Sequence, residues 1–353
     1  MKFNLKFLKR KSLPVDKFFN HVLYDKKYGY YKTKQPFGKK GDFITAPNIS
    51  NLFSEIIAIW IISAWEIFGK PKNFNIIELG PGDGSLTKII LEVFKRFPDF
   101  NSSKKIYLYE ISDYLKNLQK KNIKNGKVKW IKNFKEIRKG PVIFFGNEFF
   151  DAIPIKQFKI EKNAYFEKHF MLDKNKKIKE IFKTASKEDI TNIKSYKSLR
   201  NLKFIEFPKS GLKVLKKIIK KILETGGCLL MIDYGYIKSK NQNTLQSVKN
   251  HKKNNLLNNL GKADITSHIN FELLKEFFLK NNLEVKKILP QHKFLTNMGI
   301  IERAKIIGKK MKFRDQSNLY LRLRRLLDIK LMGELFKVIL ASKSKSNKFF
   351  GFN

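Results

Sequence analysis

A single cysteine, Cys228, excludes an internal disulfide framework. It lies in the apolar run Gly227-Cys228-Leu229-Leu230-Met231-Ile232-Asp233, which reads as a buried strand thiol rather than a nucleophile. Histidine is also sparse. His21, His169, His251, His268 and His292 form no pair at helical or zinc-like spacing, so no metal site is expected. Long apolar runs are missing too: the longest uncharged one, residues 56–65, is bounded by Glu55 and Glu66 and is too short to span a bilayer. Acid is scarce beside base, with 31 Asp and Glu against 74 Lys and Arg, a formal net charge of +43. Such an excess invites a nucleic-acid reading, because lysines on phosphates gain from counterion release. The lysines, however, are spread along the whole chain among Asn, Ile and Phe, and no RNP-type aromatic pair accompanies them. The charge reads instead as AT-rich compositional bias at solvated positions, able to support weak non-specific binding.

What is present starts with Phe74-Asn75-Ile76-Ile77-Glu78-Leu79, a run with the length and apolar character of a parallel-sheet strand. After it, Leu86, Ile89, Ile90, Val93, Phe94 and Phe97 recur at the spacing of one helix face over 85–97. Gly80-Pro81-Gly82-Asp83-Gly84 therefore occupies the connecting turn, where glycines let backbone N–H groups approach a ligand at a helix N-terminus. A dinucleotide fingerprint, G-x-G-x-x-G/A, would place its third small residue at 85, which is Ser85. Here the third glycine comes one residue earlier, behind Glu78, and that spelling suits S-adenosylmethionine rather than NAD. The next strand, 105–109, ends at Glu110, an acid placed to accept hydrogen bonds from ribose hydroxyls. Glu78, Gly80, Gly82, Gly84 and Glu110 are the first cofactor-site candidates.

Around this unit the pattern predicts a helix over 15–24, loops dense in aromatic, glycine and short polar residues over 28–31 and 41–50, and a helix over 51–68 capped by Ser50 and closed by Gly69 and Pro71. The last is apolar nearly all round and should lie between layers. Strands over 128–131 and 141–145 follow, the second running into Gly146-Asn147-Glu148-Phe149-Phe150-Asp151-Ala152-Ile153-Pro154. Strands alternating with helices argue for an α/β fold with a doubly wound, mostly parallel, Rossmann-like sheet; ligands then sit beyond strand carboxyl ends, where Glu148 and Asp151 fall. From 157 to 198 short alternating segments and turn signals predict an antiparallel insertion. A helix over 211–223 and a strand over 228–233 return to the main sheet, and polar residues 237–259 read as a long loop or insertion.

The expected organisation is an N-terminal helical and loop region over 1–70 covering the cofactor site, a main domain over 71–156 and 203–353, and a small antiparallel insertion over 157–202, an inserted α+β subdomain. Residues 1–11 are basic and acid-free, as in a transit peptide, but 13–15 already begin the first helix. The expectation is bacterial cytoplasm rather than mitochondrial matrix.

Six blocks now stand in order: residues 41–47, 78–84, Asn147 to Pro154, Ile232-Asp233-Tyr234-Gly235, Gly261 to His268, and Met332 to Val338. Together they resemble the MidA-type class I methyltransferase family over nearly the whole chain, 14–342. The resemblance implies S-adenosylmethionine as cofactor and a protein arginine as acceptor, with a role in assembly of respiratory NADH dehydrogenase (complex I). It implies a protein partner, such as a complex I subunit, and admits a homodimer. Three departures stand out: Ala46-Pro47-Asn48 where the family has Ser-Pro-Glu, no acid in Ile131-Lys132-Asn133, and Asn255-Leu256 where an acid-proline pair follows the loop histidine.

Methyl transfer from a sulfonium is an in-line displacement for which a protein supplies position and electrostatics. Glu148 and Asp151, three residues apart in an expected helical turn, would project to one side and grip a guanidinium fork as the catalytic pair. Asp42 and Thr45 are placed to cap the cofactor or to order the loop over it, and Asn147 joins them at the cofactor site. Asp233 and His268 line the substrate cleft or stabilise loops. Two rival functions stand beside this one: a methyltransferase acting on RNA or a small molecule, and a binding-only assembly factor that keeps the cofactor pocket.

Overall fold

The computed structural model describes residues 5–8, 11–33, 45–344 and 348–352. Asp42 lies outside the described residues. The chain forms two compact units, one of Met1–Phe43, Phe150–Lys216 and Tyr236–Phe277, the other of Ile44–Phe149, Lys217–Gly235 and Phe278–Asn353.

The second unit is built on the expected parallel sheet. Strands β1 (Phe74–Leu79), β2 (Lys104–Tyr109), β3 (Val128–Ile131), β4 (Val142–Asn147) and β5 (Gly227–Tyr236) pair in parallel in the order β3-β2-β1-β4-β5. A last strand, β6 (Phe336–Ser342), adds antiparallel to β5. The chain moves outward from β1 to β3 on one side and resumes at β4 on the other, so the β1/β4 boundary is the switch point at which such sheets open a crevice. All six residues of β1 are buried, which explains why it reads as a continuous apolar run rather than an alternating one.

Helix α1 (Asn51–Ile67) starts at Ser50, whose Oγ accepts from Leu52 N at 3.3 Å, and buries residues around its whole circumference, among them Phe53, Ile57, Trp60 and Ala64. Helix α2 (Ser85–Phe94) stops short of the expected residue 97 because Pro98 follows, and Phe97 takes an extended conformation ahead of it. Helix α3 (Asp113–Ile123) connects β2 to β3 and is capped by Ser112 Oγ. One apolar cluster joins α1, α2 and the sheet, with Trp60, Phe74, Phe94 and Phe100 among its largest members; Cys228, fully buried on β5, packs into it as a free thiol.

In the first unit the alternating segments become an antiparallel sheet in the order Leu13–Pro14, Ala164–Leu172, Lys156–Glu161, Phe204–Phe207, with Ile178–Thr184 also paired to Ala164–Leu172. Helix Val15–Tyr24 has the expected bounds. Of the two alternatives for residues 237–259, a long loop or an insertion, the loop is not what forms: Gln246–Lys249 and Lys252–Asn254 make a hairpin, and Asp264–Thr266 adds to it. Its turn is the pair Asn250-His251, both at positive φ (50° and 60°), the geometry that matches strand twist. The expectation of a loop followed the Asn and Lys content; the structure follows the turn.

Candidate functional site

The Gly80–Gly84 turn joins β1 to α2 at the switch point. Gly80, Gly82 and Gly84 all have positive φ (62°, 57° and 83°), which favours glycine at each. At Gly80 a Cβ would also fall 2.6 Å from Phe149 Cδ2, so a side chain there meets the β4 end as well as backbone strain. Asp83 Oδ1 accepts from Ser85 N at 3.0 Å and fixes the exit into the helix.

The two acids flanking the turn do different things. Glu78 is buried on β1, its Oε2 held by Thr87 Oγ1 of α2, and burial pushes its carboxyl up to about 8 against that hydrogen bond, with Asp83 adding to the rise. It is therefore mostly protonated at neutral pH and ties strand to helix beneath the turn. Glu110 follows β2: Oε1 accepts from Ser112 N at 2.7 Å and Oε2 from Gln119 Nε2 at 3.3 Å, and burial raises its pKa. Gln119 links several parts of the site. Its Nε2 also donates to Gly82 O at 2.9 Å, and its Oε1 accepts from Trp130 Nε1 of β3 at 2.8 Å. One fully buried amide thus connects Glu110, the glycine turn and the adjoining strand. Sequence reasoning missed it, although a polar residue between Leu115 and Ile123 on the buried face of α3 was a usable signal.

At the end of β4, Asn147 Nδ2 donates to Glu148 Oε1 at 3.1 Å, while Asn147 Oδ1 is buried with no hydrogen-bond donor among the described residues. A buried acceptor left over beside the switch point is what a cofactor bearing amino and hydroxyl donors would complete. Together with the glycine turn it makes the residues present fit S-adenosylmethionine. Glu148 N donates to Ile232 O at 2.9 Å, and its φ is 54°, a left-handed conformation rare for a residue with a side chain. The expected helical turn after β4 is not formed, since this backbone kink interrupts it. The two acids thus do not share a helix face. In the first unit Asp151 is buried, and Ser267 N donates to its backbone oxygen at 3.0 Å.

Thr45 precedes the short helix Ala46–Ile49, and its Oγ1 donates to Asn48 Oδ1 at 3.3 Å. Asn48 in turn donates to Ser85 Oγ at 3.0 Å and Asp83 Oδ2 at 3.4 Å. An amide at this position can donate to the acid of the glycine turn, where a carboxylate would face Asp83 with like charge. Asp233 lies within β5 rather than beyond its end, because pairing with β6 continues through Asp233 to Tyr234 and the strand runs on to Tyr236; its Oδ1 accepts from Tyr234 N at 3.0 Å. His268 N donates to Thr244 Oγ1 at 2.9 Å, and burial, with Lys240 nearby, lowers its ring pKa. Lys132, at the departure after β3, donates its backbone N–H to Glu136 Oε1 at 3.1 Å, in a cap that turns that acid back onto the chain.

A family profile described as S-adenosyl-L-methionine-dependent methyltransferase matches residues 56–289. The mitochondrial protein arginine methyltransferase NDUFAF7 homolog of Caenorhabditis elegans is 30% identical, with 82% of this chain and 73% of that protein covered. The Xenopus laevis protein arginine methyltransferase NDUFAF7 is 29% identical, covering 84% and 73%. A Burkholderia thailandensis protein solved with S-adenosyl-homocysteine bound shares the fold, with a TM-score of 0.79 at 21% identity over 97% of this chain and 89% of that one.

Proposed function

The chain belongs to this family of S-adenosyl-L-methionine-dependent methyltransferases, and on that premise we propose that it methylates a protein arginine in the assembly of respiratory NADH dehydrogenase. The arginine acceptor is supported by the names of the relatives, and the complex I setting by the sequence resemblance. One structural observation carries the chemistry: Glu148 holds a left-handed backbone at the end of β4 while Asn147 anchors its carboxylate. Strain of this kind is kept where a side chain must stand at a particular place.

S-adenosylmethionine, when bound, supplies a methyl group on a sulfonium sulfur. The glycine turn, Glu110 and Asn147 would hold it, with Gln119 keeping the first two in register. Glu148 would accept hydrogen bonds from the acceptor guanidinium and align its nitrogen lone pair, stabilising charge that redistributes as the new N–C bond forms. Asp151 is the second acid proposed for the same role. The carboxylates would draw off the proton that the methylated nitrogen sheds.

The reading proposes a bacterial cytoplasmic setting and a complex I subunit as substrate, and it admits a homodimer. Among the described residues no helix is long and apolar enough to cross a membrane. Incubation of purified protein with radiolabelled S-adenosylmethionine and lysate fractions tests the reading. Label is expected in protein, on arginine. Label in RNA or small molecules instead would replace the acceptor, and no transfer to any fraction would favour a binding-only assembly factor.

A further inference from the structure

The first unit contains a cavity of about 30 Å³ that no step above uses. Phe150, Ile155, Pro208, Leu212, Leu215 and Leu274 give it apolar walls, and Gly211, in the first turn of helix Lys209–Thr225, opens one side. It adjoins Asp151 by two routes: Phe150 is the preceding residue, and Ser267, another lining residue, donates its N–H to the Asp151 carbonyl at 3.0 Å.

Polar residues also line the cavity, namely Glu206, Tyr236, Ser267, His268 and Asn270, and of these Glu206 and Asn270 are already hydrogen-bonded through their side chains. Glu206 Oε1 accepts from Gln157 Nε2 at 2.8 Å and Thr244 N at 3.0 Å, and its Oε2 is held by Thr244 Oγ1. A buried carboxylate so saturated offers little to an incoming cation. His268, also in the lining, has its charged form disfavoured by burial and by Lys240, which would itself repel a cation. What remains is a small space with apolar walls, suited to a few neutral carbon atoms. Gly211 explains why the space exists. Glycine in a helix costs about 1 kcal/mol relative to alanine, yet a Cβ here would meet only ordinary contacts, 3.6 Å to Pro208 Cβ, 3.8 Å to Ile153 Cγ2 and 3.9 Å to Phe150 Cδ1. Neither a clash nor a positive φ requires glycine at this position.

We propose that this pocket receives a small apolar side chain, of alanine to valine size, next to the acceptor arginine in the protein substrate. The inference rests on the arginine reading above and adds a specificity element to it.

The test uses short arginine peptides that differ only in the residue beside the arginine (Ala, Val, Trp, Lys or Asp). Binding is read by fluorescence anisotropy on protein loaded with S-adenosylhomocysteine, and methyl transfer with S-adenosylmethionine. Val should bind roughly fourfold or more tighter than Lys or Asp, the scale of one buried methylene-sized group. Gly211→Met, which fills the space, should erase that preference without changing cofactor affinity, and Gly211→Ala should weaken it while raising thermal stability. A preference without methyl transfer would keep the pocket and overturn the arginine reading. Transfer with no preference, or a preference that survives in Gly211→Met, would overturn the pocket, and failure of every peptide to bind would count against both.

Discussion

Two strand ends in the same unit adopt left-handed backbone and fill it in opposite ways. After β1 the chain uses glycine three times, at positions 80, 82 and 84; after β4 it places Glu148 at a φ of 54°. Glycine costs nothing sterically in this region, whereas a residue with a Cβ is strained by about 1–2 kcal/mol. The β1 end therefore reads as a place where the ligand is met by backbone, and any side chain is an obstacle. At the β4 end the side chain itself is wanted, and the strain comes with it. Cofactor binding should reside in the first and acceptor chemistry in the second.

The largest effect expected from this contrast is at the turn. Gly82→Val puts a branched side chain at a φ of 57° in the turn, and should reduce S-adenosylmethionine affinity by on the order of a hundredfold or more, by calorimetry, with the fold retained by circular dichroism. Unchanged affinity would remove the backbone argument for the β1 end. Strong binding of NAD by the unaltered protein, with none of S-adenosylmethionine, would reassign the site altogether.

At the other end the readout should separate. Glu148→Gln keeps the shape and removes the charge; turnover should fall by roughly a hundredfold, the scale of one preorganised polar group, with cofactor affinity nearly unchanged. Asp151→Asn should behave alike, and the double variant should lose less than the sum because both act on one guanidinium. If both singles lose cofactor binding equally, the two strand ends belong to one pocket and the contrast dissolves.

Glu78 sharpens the β1 side through pH. Its folded pKa of about 8 stands above the ordinary 4.5, so the folded state holds the proton more tightly than the unfolded chain. The stabilisation it gives is full below about pH 4.5 and declines as pH rises toward 8, by on the order of a few kcal/mol. Glu78→Gln should flatten that part of the profile and be the more stable protein near pH 9, measured by denaturant unfolding from pH 5 to 9. A wild-type stability that is flat or rises across that window would mean the carboxyl is ionised in the folded protein.

Much of this was legible in the sequence, and for identifiable reasons. β1, the glycine turn and α2 were readable because burial, glycine placement and helix periodicity all point to the same assignment over residues 74–94. The position of Glu110 directly after β2 was also legible, because the strand before it reads clearly. The kink at Glu148 was not, since nothing in Asn147-Glu148-Phe149 marks positive φ, and a helical turn was the natural expectation. Gln119 was missed because its role comes from three partners on other segments, Glu110, Gly82 and Trp130, that meet only in the fold. The hairpin turning at Asn250-His251 was hidden in a lysine-rich stretch whose composition outweighed its turn signal.

The smallest effect is the most direct test of why the two ends differ. Glu148→Gly relieves the left-handed strain at that position, a gain of about 1–2 kcal/mol, but it also gives the unfolded chain more freedom and removes the hydrogen bond from Asn147 Nδ2. A partly exposed hydrogen bond contributes about 0.5–1 kcal/mol and the added freedom of the unfolded chain costs about 0.4–1 kcal/mol, so the terms nearly cancel and the net change should lie within about 1 kcal/mol of zero, read from chemical denaturation at fixed pH. Turnover should fall at least as far as in Glu148→Gln, because carboxylate and alignment go together. More stability with less activity would show strain maintained for chemistry. Equal activity with more stability would show that the glutamate is dispensable, and the two strand ends would then differ only by accident of sequence; a loss of well over about 1 kcal/mol would mean that the backbone at 148 is held by the side chain's own contacts rather than strained against them.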